Sequence, residues 1–209
     1  MKPFKGIIGR KVGMTRIFDK DGNVVPVTVI SVHPGVVMEV KRKEKHGYDA
    51  VKVAFEPVKL EKLIKPLRGE FEKRNFSIGY RILKEFRVDS TEGINVGDEV
   101  TLDIFKEGDI VKVSGYSKGR GFQGVMKRFG FKGGPDAHGS MFHRRPGSIG
   151  MHTDPGRVLK GKKLPGRMGN KRVTIRNLKV VGILKEKNFI YIKGAVPGAP
   201  NSILEIYKT

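Results

Sequence analysis

Residues 17–32 read IFDKDGNVVPVTVISV. Asp19-Lys20-Asp21-Gly22 after Ile17-Phe18 is a hairpin connection, because Asp and Gly tolerate the left-handed backbone that a tight turn needs. Residues 24–32 then form an apolar run rich in β-branched side chains, with Pro26 near its start, which reads as a strand. Outward from this hairpin the pattern repeats. His33-Pro34-Gly35 is a turn and 36–40 resumes a strand. Lys45-His46-Gly47 breaks the chain, and 49–55 alternates as a half-buried strand does. Leu60, Leu63, Ile64 and Leu67 have helical spacing, which Pro66 should limit to about two turns. Residues 82–88 and 99–105 read as strands, the second opened by an Asn95-Val96-Gly97-Asp98 turn. Ile110, Val111 and Val113 make another. Near the end, 172–177 and 180–184 continue the pattern, Glu186-Lys187-Asn188 turns, 189–193 returns, and 203–207 closes the chain after a Pro197-Gly198-Ala199-Pro200 loop. Nine or more short strands at even spacing predict a mainly β protein built on a closed or nearly closed barrel, which leaves no unpaired edges.

One stretch breaks the pattern. Residues 119–170 contain 13 Gly and 4 Pro, and only five Val, Ile or Leu. Such a segment buries too little apolar surface to offset its ordering entropy. Charge concentrates in the same place. The 209-residue chain has 42 Lys and Arg against 21 Asp and Glu, a net charge of +21. Residues 1–20 carry +5, residues 21–109 carry −1, and residues 110–185 carry +16 with Asp136 and Asp154 as their only acids. Folded surfaces ordinarily intersperse both signs. A stretch this one-sided calls for a polyanionic partner.

Several chemistries are excluded. There is no Cys, so disulfides, zinc-thiolate sites and Cys nucleophiles are absent. No apolar run approaches the roughly 18 residues that span a bilayer, and charges interrupt the opening MKPFKGIIGRKVGMTR where a signal peptide would be apolar. A cytosolic protein without a membrane role is expected. GRGFQG at 119–124 matches a dinucleotide-binding glycine pattern, but no second buried strand follows and Asp136 lies in a Gly-Pro turn. GRVLKGKK at 156–163 is one residue from a phosphate-binding loop, with Lys163 where a metal-binding hydroxyl is required. His138, His143 and His152 lack further metal ligands at suitable spacing. Ser140 with His143 has no third group to orient it. No cofactor, metal, catalytic residue or small-molecule substrate is expected.

What remains is a basic, glycine-rich, aromatic combination. Lys118, Arg120, Lys127, Arg128, Lys132, Arg144, Arg145, Arg157, Lys160, Lys162, Lys163, Arg167, Lys171 and Arg172 can neutralise phosphates, joined by Lys5, Arg10, Lys11 and Arg16 of a basic arm at 1–20. His138, His143 and His152 can stack on bases or bond phosphates. Tyr116, Phe122, Phe129, Phe131 and Phe142 can pack on sugars or unstacked bases. A short helix is expected over 122–129, its stripe Phe122, Val125, Met126 and Phe129 packing inward and its other face presenting Lys127 and Arg128. An extended loop of this kind suits folded RNA better than a DNA groove. An RNA-acting enzyme using His143 or His152 and a histone-like DNA compactor are the alternatives from other classes.

These residues resemble one family closely. GIIGRKVGMTRIF (6–18), SKGRGFQGVMKRFGF (117–131), HGSMFHRRPGSIG (138–150), PGRVLKGKKLPGRMGNKRVTIRNLKV (155–180) and KGAVPGAP (193–200) are similar, in order, to the bacterial L-three family of large-ribosomal-subunit proteins. The resemblance implies a translation-protein-type barrel over 1–118 and 171–209, with a small α+β insertion near 57–95. It implies an extension over 119–170 that threads into 23S-type rRNA toward the peptidyl transferase centre, with its tip at 146–152. It also implies early rRNA binding that nucleates assembly, contacts with neighbouring ribosomal proteins, and no chemistry. Relatives often have a Gln at the tip, methylated in some. Here Met151 has no side-chain amide to modify.

Overall fold

The computed structural model describes residues 4–209; residues 1–3, the start of the expected basic arm, lie outside the described residues. The protein is mainly β, as the alternation predicts. The chain divides into two compact units, Met1–Tyr116 with Arg172–Thr209, and Ser117–Lys171.

In the first unit, six strands pair in a ring. In chain order they are β1 (Gly6–Phe18), β2 (Val24–Val32), and later Ile110–Tyr116, Arg172–Leu184, Phe189–Lys193 and Ile203–Lys208. The first pairs with the last, which pairs with Ile110–Tyr116, then Arg172–Leu184, Phe189–Lys193 and β2, which returns to β1. Every pairing is antiparallel. Alternate side chains point inward and are fully buried: Ile7, Ile30, Val111, Val113, Ile190, Ile192, Leu204 and Ile206. Period-two patterning drives this, since each strand presents one apolar row to the interior.

A second sheet lies in the same unit. It comprises β3 (Gly35–Lys41), β4 (Ala50–Val58), β5 (Gly79–Arg87) and β6 (Glu99–Val100), ordered β5-β4-β3-β6. A short helix α1 (Lys43–His46) links β3 to β4. Val37, Val51, Val53, Phe55 and Phe86 of this sheet join the barrel interior in one core. Met38, Ala54 and Tyr80 pack with Phe71 of α2 (Lys65–Glu72) in a second. Close packing between β1 and β5 requires Gly6: a Cβ there would lie 2.2 Å from the Phe86 ring. The four-stranded sheet starts at Gly35, well before residue 57, while α2 and β5 fall within 57–95.

Four expectations are corrected. The basic arm is not an arm beyond residue 5: Gly6–Phe18 is one of the two longest strands. Residues 99–105 form a strand only at Glu99–Val100, after which Leu102–Ile104 is a single 3-10 turn. Pro66 does not cut the helix short but sits in its first turn, where a missing N–H costs nothing. The two strand segments at 172–177 and 180–184 are one strand, bulged between Ile175 and Leu178 with Asn177 in the left-handed region. The remaining strands are numbered β7 (Ile110–Tyr116), β8 (Gly121–Gln123), β9 (Gly166–Met168), β10 (Arg172–Leu184), β11 (Phe189–Lys193) and β12 (Ile203–Lys208).

Candidate nucleic-acid interface

Ser117–Lys171 begins and ends in a narrow ladder. Ser117 N–H donates to the Lys171 carbonyl at 2.9 Å, Asn170 N–H to the Ser117 carbonyl at 3.1 Å, and Arg120 N–H to the Met168 carbonyl at 2.9 Å. β8 and β9 continue it, pairing Phe122 with Arg167. The ladder closes tightly at Gly169, whose φ is +76° and where a Cβ would lie 2.0 Å from the Lys118 carbonyl oxygen. Beyond it comes α3 (Val125–Phe129), ended by Gly130 in the left-handed conformation, and then a long irregular path.

α3 is shorter than the expected 122–129. Gly124 precedes it in extended conformation, so Phe122 lies on β8 instead, 77 % exposed. Of the stripe, only Val125 is buried, and it is the one buried side chain of the whole unit. Arg128 does not simply face outward. Its Nη1 donates to the Leu164 carbonyl at 2.6 Å and its guanidinium lies 4.9 Å from the Phe129 ring centroid. The Lys163 ammonium lies 6.0 Å from the same ring centroid.

The other expected residues of this unit are exposed. Lys118, Arg120, Lys127, Lys132, Arg144, Arg145, Arg157, Lys160, Lys162, Lys163, Arg167 and Lys171 all face solvent, as do His138, His143, His152 and Met151. Residues 117–171 contain 13 Lys and Arg against two acids. Among the described residues, none of those 13 forms an ion pair with a carboxylate. Asp136 is engaged by His143 Nδ1 at 3.2 Å, and His152 Nδ1 lies 2.6 Å from the Thr153 hydroxyl. The three histidines thus share no common centre. Met141, 85 % exposed, and Leu159, 52 % exposed, add apolar surface that the aromatic spacing did not flag. The signal for them is the same poverty of partner strands around them.

The cations of the first unit stand differently. Arg10 grips Glu56 with Nε and Nη2 and donates from Nη1 to the Asn201 carbonyl at 2.8 Å. This holds the Glu56 carboxyl below the usual range and raises the Arg10 guanidinium. Lys11 is buried, and its ammonium donates to the Val196 and Gly198 carbonyls, both at 3.0 Å. Arg172 pairs with Glu205 at 2.5 Å, and Lys5 with Asp89 at 3.1 Å. Arg16 is exposed on β1. Arg10 and Lys11 therefore serve the fold. Their partners lie far away in sequence, so charge counting could not find them.

A family model for ribosomal protein L3 matches residues 85–188. The chain is 55 % identical over 205 residues to the large ribosomal subunit protein uL3 of Alkaliphilus metalliredigens, covering 98 % of this chain and 97 % of that one. It is 52 % identical to the uL3 of Syntrophus aciditrophicus over 97 % of this chain and 92 % of that one. It is also 52 % identical to the uL3 of Fervidobacterium nodosum, over 97 % of each. With a strand ring of this kind and an uncompensated cationic unit between two of its strands, the chain belongs to the ribosomal protein L3 family.

Proposed function

We propose that the protein is a structural constituent of the large ribosomal subunit that binds large-subunit rRNA directly, with Ser117–Lys171 as its principal RNA-binding element. The observation that carries this reading is the charge of that unit: 13 cations, none answered by a carboxylate among the described residues. Phosphates are the natural counter-charge, and releasing their condensed ions drives association. Exposed Phe122, Met141 and Met151 supply apolar surface for sugars and unstacked bases. The strand ring supports a translation-protein-type barrel as the anchoring body, whose surface meets neighbouring ribosomal proteins. Family likeness supports three further points: early binding that nucleates assembly, a tip at 146–152 that reaches toward the peptidyl transferase centre, and work in the cytoplasm as part of the ribosome. The protein is a component of the subunit and not an enzyme.

Hydrogen exchange on the full chain, with and without an rRNA fragment, tests this. A unit with one buried side chain should open at little cost in free energy. Its amides should exchange fast in the free protein and slow by orders of magnitude on RNA addition, while the barrel strands stay slow throughout. RNA protection confined to the barrel would overturn the reading.

A further inference from the structure

A cavity of about 340 Å³ opens within Ser117–Lys171. It is lined by residues 148–151 and by Pro155, Arg157, Leu159 and Lys162. The two stretches lie side by side, since a Cβ on Gly150 would stand 3.7 Å from the Arg157 carbonyl oxygen. Between them the chain turns at Gly156, whose φ is +63° and where a Cβ would lie 2.9 Å from the Thr153 carbonyl oxygen. The Ser148 hydroxyl donates to the Gly150 carbonyl at 3.1 Å and holds the first stretch in its own turn. Ile149, Met151 and Leu159 are exposed, so the lining offers apolar side chains to whatever enters. Arg157 and Lys162 supply its charge, with no acid among the lining residues. Asp154, the acid nearest in sequence, does not line the cavity. Neither cation pairs with a carboxylate among the described residues.

Apolar side chains beside two unanswered cations suit a ligand with a flat, poorly hydrated body and an anionic tail. A nucleotide has both. Its base can leave water against Met151 and Leu159, while its phosphate meets the Arg157 guanidinium and the Lys162 ammonium. The volume lies at the small end of ligand pockets, roughly 300–1,000 Å³, which fits one such unit and not a helix. A base stacked within a duplex has both faces covered by its neighbours, so only one splayed out of its strand can seat here. We infer that the cavity takes a single unstacked nucleotide of an RNA strand, its base against the apolar lining and its phosphate on Arg157 and Lys162. The inference rests on the RNA reading and adds to it: the other cations of the unit track phosphates, whereas this cavity grips a base.

The test uses the full chain and two labelled probes of about ten nucleotides, a single-stranded uridine oligonucleotide and its abasic ribose-phosphate counterpart, followed by fluorescence anisotropy. The two carry equal charge, so their difference reads the bases alone. The uridine strand should bind about tenfold more tightly. The exposed Leu159→Ser, which changes no charge, should shrink that gap about threefold and leave the abasic strand's affinity as it was. Arg157→Ala with Lys162→Ala should weaken both probes and make the salt slope shallower by about 1.4, two phosphate contacts on a single strand. Equal binding of the two probes, or a gap that Leu159→Ser leaves intact, would overturn the inference while the RNA reading stands. Binding of neither probe, nor of an rRNA fragment, would overturn both. Displacement of the uridine strand by micromolar uridine monophosphate would overturn the assignment to an RNA strand and mark a site for free nucleotides.

Discussion

Tyr116 and Arg172 are antiparallel partners across β7 and β10, at the last paired position before the chain enters Ser117–Lys171 and the first after it returns. The two ends of the cationic unit are therefore held side by side by the barrel's own ladder. Closing a loop costs entropy that grows only slowly with its length, so a long insertion here is tolerated. Arg172 is fixed further by Glu205, which also binds Lys84 at 2.6 Å and accepts from the Tyr207 hydroxyl at 3.0 Å.

This carboxylate sets an acid limit. Burial alone would raise the Glu205 carboxyl, but Lys84 and Arg172 outweigh it and hold the group below its ordinary 4.5. Burial also pushes the Tyr207 phenol up to about 12. A carboxylate depressed by folding contributes its stability above the unfolded value and loses it as pH falls through the folded one. Thermal stability should be level from neutrality to about pH 5 and decline below 4.5, the ordinary carboxylate value. Glu205→Gln should cost about 1–3 kcal/mol at neutral pH and flatten that acid decline. Melting curves across pH would check both.

Lys11→Met should destabilise the barrel by about 1–3 kcal/mol, because the Val196 and Gly198 carbonyls would lose a charged donor inside the fold. Denaturant titration measures this. The salt dependence of rRNA binding should stay as in the parent chain, since this ammonium is not offered to phosphate.

Arg144→Ala with Arg145→Ala should leave the melting temperature unchanged, as both side chains are exposed and neither pairs with a carboxylate among the described residues. Affinity for an rRNA fragment should fall, and the slope of log K against log salt should become shallower by about 2. A large drop in melting temperature would instead mark the pair as structural.

Gly169→Ala should separate the two units functionally. Its Cβ would meet the Lys118 carbonyl at 2.0 Å, and its φ of +76° disfavours any side chain. The ladder at the root of Ser117–Lys171 must then shift, so rRNA affinity should drop while the barrel's unfolding transition holds. Calorimetry beside a binding titration would show it.

Most of the barrel was legible because short apolar runs rich in β-branched and aromatic residues, bounded by turn signals, mark strands, as at β2 and β11. β1 was harder. Arg10, Lys11 and Arg16 interrupt its alternation, and a register shift lies between Lys11 and Gly13. Only the fold reveals that Glu56 answers Arg10 and that loop carbonyls answer Lys11. Leu102 and Ile104 look like strand residues, yet Asp103 between them is drawn to Thr101 and Lys185 and the backbone turns. Phe122 fitted a helical stripe, but the pairing of Gly121–Gln123 with Gly166–Met168 claims it for a strand. In the cationic unit the shortage of apolar residues and acids was plain from composition, and exposure of its side chains follows from that shortage. Which cations the fold itself consumes depends on distant carboxylates, and no local pattern encodes them.

The central claim is that Ser117–Lys171 supplies the rRNA affinity. The most direct measurement compares the salt dependence of rRNA binding for the full chain and for a variant in which a short Gly-Ser linker replaces 119–170. If on the order of 8 cations contact phosphate, the full chain should show a slope near −6 to −7, and the shortened one a slope of about −2 or less in magnitude. A slope near −1 for the full chain, or equal slopes for both, would contradict the account.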